Sequence, residues 1–122
     1  MGSLQPVTEL VLDGYDISRG FITDMFCVFD TDNLGIEAIV QGGTAPTGTF
    51  QVLSSCELYE PINFCQVIPE ATQAITDNSL IVWNFAGAFA PAFNWVQVMY
   101  TPISGTGFCT LYITKKVGYK NA

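Results

Sequence analysis

Apolar and polar positions alternate with a period of two through residues 94–116. Val96, Val98 and Tyr100 fall on one side of an extended chain, and Trp95, Gln97 and Met99 on the other. Further on, Cys109, Leu111 and Ile113 form a row with Thr110, Tyr112 and Thr114 opposite. Strand side chains point alternately to two faces, and β-branched and aromatic residues suit that geometry, so both runs are predicted strands. Ser104-Gly105-Thr106-Gly107 lies between them. Its glycines accept the positive φ of a tight turn, so a local hairpin is expected, with Pro102 where the ladder ends.

The same pattern recurs upstream in shorter pieces. Residues 4–13 read as a first strand or an N-terminal arm, and Asp13-Gly14-Tyr15-Asp16 as a turn. Residues 17–30 read as a strand, broken near Arg19-Gly20. Phe21, Met25, Cys27 and Phe29 share one face, Phe26 and Val28 the other, as in a central strand. Ile36, Ala38 and Val40 share one side of a short strand over 36–41; residues 42–48 form a flexible connection; Phe50 and Val52 face together in another strand over 49–55. Residues 58–67 are less regular, and 71–75 fit either a helical turn or a strand. Residues 80–85 form a strand with Leu80 and Val82 against Ile81, Trp83 and Phe85. About eight short strands, punctuated by Gly, Pro, Asn and Asp and without a long apolar stripe of helical period, predict a sandwich or barrel.

The segment Phe85-Ala86-Gly87-Ala88-Phe89-Ala90-Pro91-Ala92-Phe93 carries no charge, and Gly87 and Pro91 disfavour a regular element. Its phenylalanines either fold back as a core plug or meet another chain.

Composition sharpens this picture. The chain has 122 residues, 49% hydrophobic and only 12% charged. That length fits one domain, able to bury roughly 65% of its unfolded surface. With so little polar surface, large apolar patches are expected, and such patches mark protein contacts. The net charge is −7. Lys115, Lys116 and Lys120 sit at the C-terminus, which leaves residues 1–110 with Arg19 as their one base. Phosphate binding needs clustered Lys and Arg, so no nucleic acid is expected as partner, and no basic membrane patch is present. No apolar run approaches the ~20 residues of a membrane span, and no basic segment leads into an apolar core as in a signal peptide. Synthesis and folding in a cytosol are expected.

Candidate chemistry is sparse. There is no histidine, so Ser-His-Asp, Cys-His and His-metal sites are excluded. Cys27, Cys56, Cys65 and Cys109 include no C-x-x-C pair and read as buried thiols; Cys56 and Cys65 could pair across a hairpin in an oxidising medium. Residues 30–35 resemble the front of a calcium loop, but Gln41 stands where the bidentate acid belongs, so a turn is expected. Asp13 with Asp16, and Asp30 with Asp32, are the near carboxylate pairs, both among turn residues. No cofactor, metal or enzymatic activity is expected. Tyr15, Tyr59, Trp83, Trp95 and Tyr119 could form a sugar platform, although aromatics in strands more often build the core.

Gly48-Thr49-Phe50-Gln51-Val52-Leu53-Ser54-Ser55, then Trp95-Val96-Gln97-Val98-Met99-Tyr100-Thr101, Ser104-Gly105-Thr106-Gly107 and a closing lysine, resemble a pattern in small β-sandwich structural proteins of tailed bacteriophages. The resemblance covers roughly residues 35–116; Gln97 departs from it, standing where the pattern often has arginine. It implies a capsid decoration (cement), head-fibre or tail-associated protein, without catalytic residues. The resulting expectation is an all-β chain: an antiparallel β-sandwich of jelly-roll type in a single domain. Residues 1–14 would be an N-terminal arm or first strand, 15–117 the sandwich and 118–122 a tail. It would be made in the host cytoplasm, reside on the virion, and bind the major capsid protein or another virion protein as a homo-oligomer, a trimer around a three-fold position. Phe89, Pro91 and Phe93 are the expected contacts, with Leu4 and Val7 in the N-terminal segment next. The alternative is a tail- or fibre-associated module that binds host glycan.

Overall fold

The computed structural model describes residues 4–29, 31, 33–61, 65–86 and 93–118, except the side chains of 4–6 and 117–118. Its strands are β1 (Leu4–Asp16), β2 (Phe21–Ile22), β3 (Phe26–Cys27), β4 (Asn33–Ser55), β5 (Gln66–Val67), β6 (Gln73–Ile75), β7 (Ser79–Phe85) and β8 (Trp95–Gly118). All pairings are antiparallel, and the chain is all-β. A 3-10 turn over Pro69–Ala71 leads into β6, so the stretch read as helical turn or strand is both in succession.

The predicted hairpin at residues 104–107 does not form. β8 runs unbroken from Trp95 to Gly118, and both of its alternating runs pair with β4, from Asn33 opposite Lys116 to Ser55 opposite Trp95. The stretch read as a flexible connection is likewise the middle of β4, facing residues 102–108 of β8. Together the two stretches make a corner in a two-stranded ribbon. The register slips between Gln41 and Thr44, again before Thr47, and again before Gly48. Gly42 and Gly105 hold φ of 69° and 82° there. The backbones approach so closely that a Cβ on Gly43 would strike the Thr106 carbonyl, and one on Gly48 would lie 2.6 Å from the Thr101 carbonyl. The glycines thus serve a bulged bend, which tightens local twist and redirects a strand without reversing it.

The bend folds the sheet over on itself. On one side lie β1, the C-terminal half of β8, the N-terminal half of β4, and β7. On the other lie β2 and β3, the N-terminal half of β8, the C-terminal half of β4, then β5 and β6. The eight strands remain one hydrogen-bonded sheet because β4 and β8 stay paired through the corner. The two sides meet face to face: the rings of Phe50 and Trp83 stand 6.0 Å apart, and Lys115 Nζ donates to the Cys27 carbonyl at 3.2 Å. Between them Leu34, Ile36, Ala38, Val40, Phe50, Val52, Val96, Val98, Tyr100, Cys109, Leu111 and Ile113 form one core, each at most 2% exposed. Apart from Leu34, these are the rows that the period of two assigned to one face; Leu34 belonged to the turn expected over 30–35, but β4 already begins at Asn33.

Two further expectations are corrected. Residues 13–16 are not a turn; β1 continues through them as an irregular strand, with Gly14 at φ 59°. Residues 17–30 are not a central strand either. Their strand pairing is limited to β2 and β3 on the edge of β8. Backbone bonds from Ile17 N–H to the Gly107 carbonyl (3.1 Å) and from Val28 N–H to the Asn94 carbonyl (2.8 Å) anchor the segment, while Cys27 and Phe29 face outward. Its two apolar faces reflect a core on one side and an exposed edge on the other.

Candidate contact surfaces

The two outer faces of the folded sheet differ. Behind β2, β3 and the N-terminal half of β8, the chain covers itself. Gln97 is buried there: its Oε1 accepts from the Cys65 N–H at 3.2 Å, and its Nε2 donates to the Thr23 carbonyl at 3.1 Å. Thr23 Oγ1 accepts from the Val98 N–H at 3.0 Å. Trp95 Nε1 and Asn94 Nδ2 both donate to the Glu57 carbonyl at 3.1 Å. Thr23, Glu57 and Cys65 are therefore tied down over this face. A polar residue inside the Trp95-Val96-Gln97-Val98 run was the available signal for such a clamp.

The opposite outer face is uncovered by any described residue. Leu10, Tyr112, Glu37 and Val82 form one row across β1, β8, β4 and β7, and Ile39 pairs with Leu80 in the next. Leu10 is 51% exposed, Leu80 64% and Val82 61%. Glu37 is the one carboxylate within this apolar group. From Asn78 to Thr114 the sequence contains no charged residue at all, which is why β7 and most of β8 bring none to the face. A cleft of about 350 Å³ runs along β7, where Ile81, Trp83, Asn84 and Phe85 face Ile68, Glu70, Ala71, Thr72 and Gln73.

The expected contact residues are spread differently. Val7 is exposed on β1 opposite Lys115, and Leu4 lies opposite Gly118 at the start of the same strand, its side chain outside the described set. Phe93 is half-buried and packs edge-on against Phe85, ring centroids 5.8 Å apart. Phe89 and Pro91 fall outside the described residues. Val7, Lys115, Leu34 and Phe85 stand in one row, so Phe93 and Val7 share the end of the sheet away from the corner. Leu58 and Tyr59, 81% and 83% exposed, follow Glu57 near the same end.

Of the proposed sugar-platform residues, Trp83 is in the core with its Nε1 donating to the Ala71 carbonyl at 2.7 Å. Trp95 is half-buried and bonded as above, Tyr15 packs edge-on to Phe21, and Tyr119 lies outside the described residues.

The perturbed titratable groups do not converge on a site. Burial pushes the Cys109 thiol up to about 12. Burial, then the nearby Glu57 charge, raises Cys65; burial, then Cys109, raises Tyr100. Asp16 is lowered by hydrogen bonds from Ser18, backbone first, and then by the Arg19 charge. The shifted thiols thus move away from the nucleophilic form. Among the described residues, no group of three or more Cys, Asp or Glu could hold a metal ion, and no helix is long and apolar enough to cross a membrane.

No protein-family model matches the chain, and no curated protein sequence does. Solved structures do share its fold. One is the SPBc2 prophage-derived protein YomS, 12% identical, with a TM-score of 0.52 over 93% of this chain and 95% of that one. Another is a chain in the structure of infectious bursal disease virus, Gx strain, 9% identical, with a TM-score of 0.54 over 98% of this chain and 33% of that one. At such identities the likeness defines the fold, one found in a prophage-derived protein and in a virus structure.

Proposed function

We propose that this chain is a virion structural protein, a decoration protein that binds and stabilises the major capsid shell of a bacteriophage, and that it has no enzymatic role. The observation that carries the reading is the outer face of β1, β8, β4 and β7: an apolar group, Leu10, Tyr112, Val82, Ile39 and Leu80 around Glu37, that no described residue covers, while segments of the chain cover the opposite face around Gln97. An apolar face of this kind suits burial against another protein. The strand order supports the jelly-roll reading. The two sides of the sheet, β1-β8-β4-β7 and β2/β3-β8-β4-β5/β6, share two strands that cross from one to the other, as in the double Greek keys of viral capsid domains. The fold likeness to a prophage-derived protein and to a chain of a virus structure supports the same reading. The test adds purified protein to particles that lack it. Saturable binding and greater resistance of the shells to heat are expected, both lost in an Ile39→Lys/Tyr112→Glu variant that keeps the native circular dichroism. Normal binding by that folded variant contradicts the assignment of this face.

One observation favours the second reading, a tail- or fibre-associated module binding host glycan: Tyr59 presents 83% of its surface to solvent beside an equally exposed Leu58. Binding on a glycan array that Tyr59→Ala abolishes is the outcome that reading requires.

A further inference from the structure

β7 is an edge strand unlike the others. Among the described residues nothing pairs with its outer side, since its one partner is β4. Exposed edges offer unpaired N–H and C=O groups to other chains, and proteins commonly blunt them with charge, proline, bulges or brevity. The other long edge, β1, has all of these except brevity: Pro6, Glu9, Asp13 and register slips on both sides of Leu12. β2, β3, β5 and β6 have only two or three residues each. β7 has seven, Ser79-Leu80-Ile81-Val82-Trp83-Asn84-Phe85, paired without a slip and free of charge and proline. It also turns Leu80 and Val82 to solvent.

We infer that β7 is the contact between two copies of this chain, joined antiparallel about a two-fold axis through Val82, the middle of the strand. This register sets Val82 beside Val82, Leu80 beside Asn84, and Ile81 beside Trp83, with every residue of the strand opposed. An uncharged edge suits a second copy. Two chains at −7 repel each other over most of their surfaces, but β7 itself carries no charge, so the two strands pair without like charges in the ladder, and the Glu70 of each cleft is the carboxylate that the pairing must accommodate. The clefts beside the two β7 strands would merge, bringing the Ile81 and Trp83 walls of both copies together.

The pairing deepens the proposed role, on which its use in the virion rests. A two-fold axis perpendicular to a sheet leaves both outer faces on the same side, so the dimer presents one continuous surface. With strands ~4.8 Å apart and ~3.4 Å per residue, four strands of seven residues cover roughly 450 Å². That is short of the ~800 Å² per partner of a standard interface, which two copies side by side reach. The unit becomes a two-fold dimer in place of the expected three-fold trimer.

The experiment is sedimentation equilibrium on the full chain between about 1 and 100 μM. A dimer is expected, weakened at least tenfold by Val82→Lys and unaffected by Leu10→Lys, an equally outward change on the managed edge. Should Val82→Lys fail to fold, Val82→Cys still decides. Opposed residues of an antiparallel pair lie ~4.5–5.5 Å apart at Cα, within disulfide range, so oxidation should yield a covalent dimer linked through residue 82 that the wild type does not give. A wild-type monomer at 100 μM, a trimer, or no Val82→Cys cross-link overturns the pairing. A dimer that never joins particles instead removes the virion role and leaves the pairing standing.

Discussion

Single buried residues set the terms for the rest of the molecule. Gln97 is the polar member of an otherwise apolar run, and it bridges two segments through its side-chain amide. Gln97→Ala leaves the Cys65 N–H and the Thr23 carbonyl without that partner, and each unsatisfied buried group costs about 1–3 kcal/mol. A stability loss of at least about 2 kcal/mol is expected in urea unfolding; a change within experimental error contradicts the clamp. Cys109 supplies a pH signature. Its folded pKa, about 12, lies above the ordinary value of 9.0, so the unfolded chain loses the proton first. Its contribution is fully present below about pH 9 and is lost as pH rises towards 12. Thermal melts should decline across that window, and Cys109→Ala should flatten the decline, though not abolish it, because Tyr100 and Cys65 shift in the same direction. An unchanged slope in the variant contradicts the assignment.

Elements show where local pattern ends and long-range pairing begins. A Cβ at Gly48 would lie 2.5 Å from the Tyr100 hydroxyl and 2.6 Å from the Thr101 carbonyl, whereas one at Gly14 has nothing within 4 Å. Gly48→Ala should therefore cost several kcal/mol, and Gly14→Ala only the ~1–2 kcal/mol of a left-handed non-glycine residue. Equal melting temperatures for the two variants would show that close approach of β4 and β8 does not hold the corner. The contrast explains what the sequence revealed. The rows Val96, Val98, Tyr100 and Cys109, Leu111, Ile113 were legible because strand side chains alternate whatever the partner. So was the division of β7 into two faces, Leu80 and Val82 against Ile81 and Trp83, although only the structure shows that the second pair turns inward. The corner was not legible, since Ser104-Gly105-Thr106-Gly107 suits a reversal and a bend equally, and β4 decides between them from far along the chain. The candidate contact surfaces were hidden for the same reason. Whether Leu80 and Val82 lie at an edge, or Ile39 on a bare face, depends on strand order and not on their neighbours in sequence.

At the scale of the whole molecule, scarce charge and uneven cover point the same way. One outer face is covered by the chain itself around Gln97, the other has an apolar group that no described residue covers, and β7 lies at its border without the devices that protect β1. A block of this kind loses unfavourable apolar exposure when it packs against neighbours, and a symmetric shell repeats each modest contact many times. The most direct measurement is quantitative mass spectrometry on density-gradient-purified virus particles from cells that produce this chain. The account predicts that the chain bands with intact particles in a fixed, many-copy ratio to the major capsid protein. Its recovery only in the soluble fraction, with none in the particle band, contradicts the account.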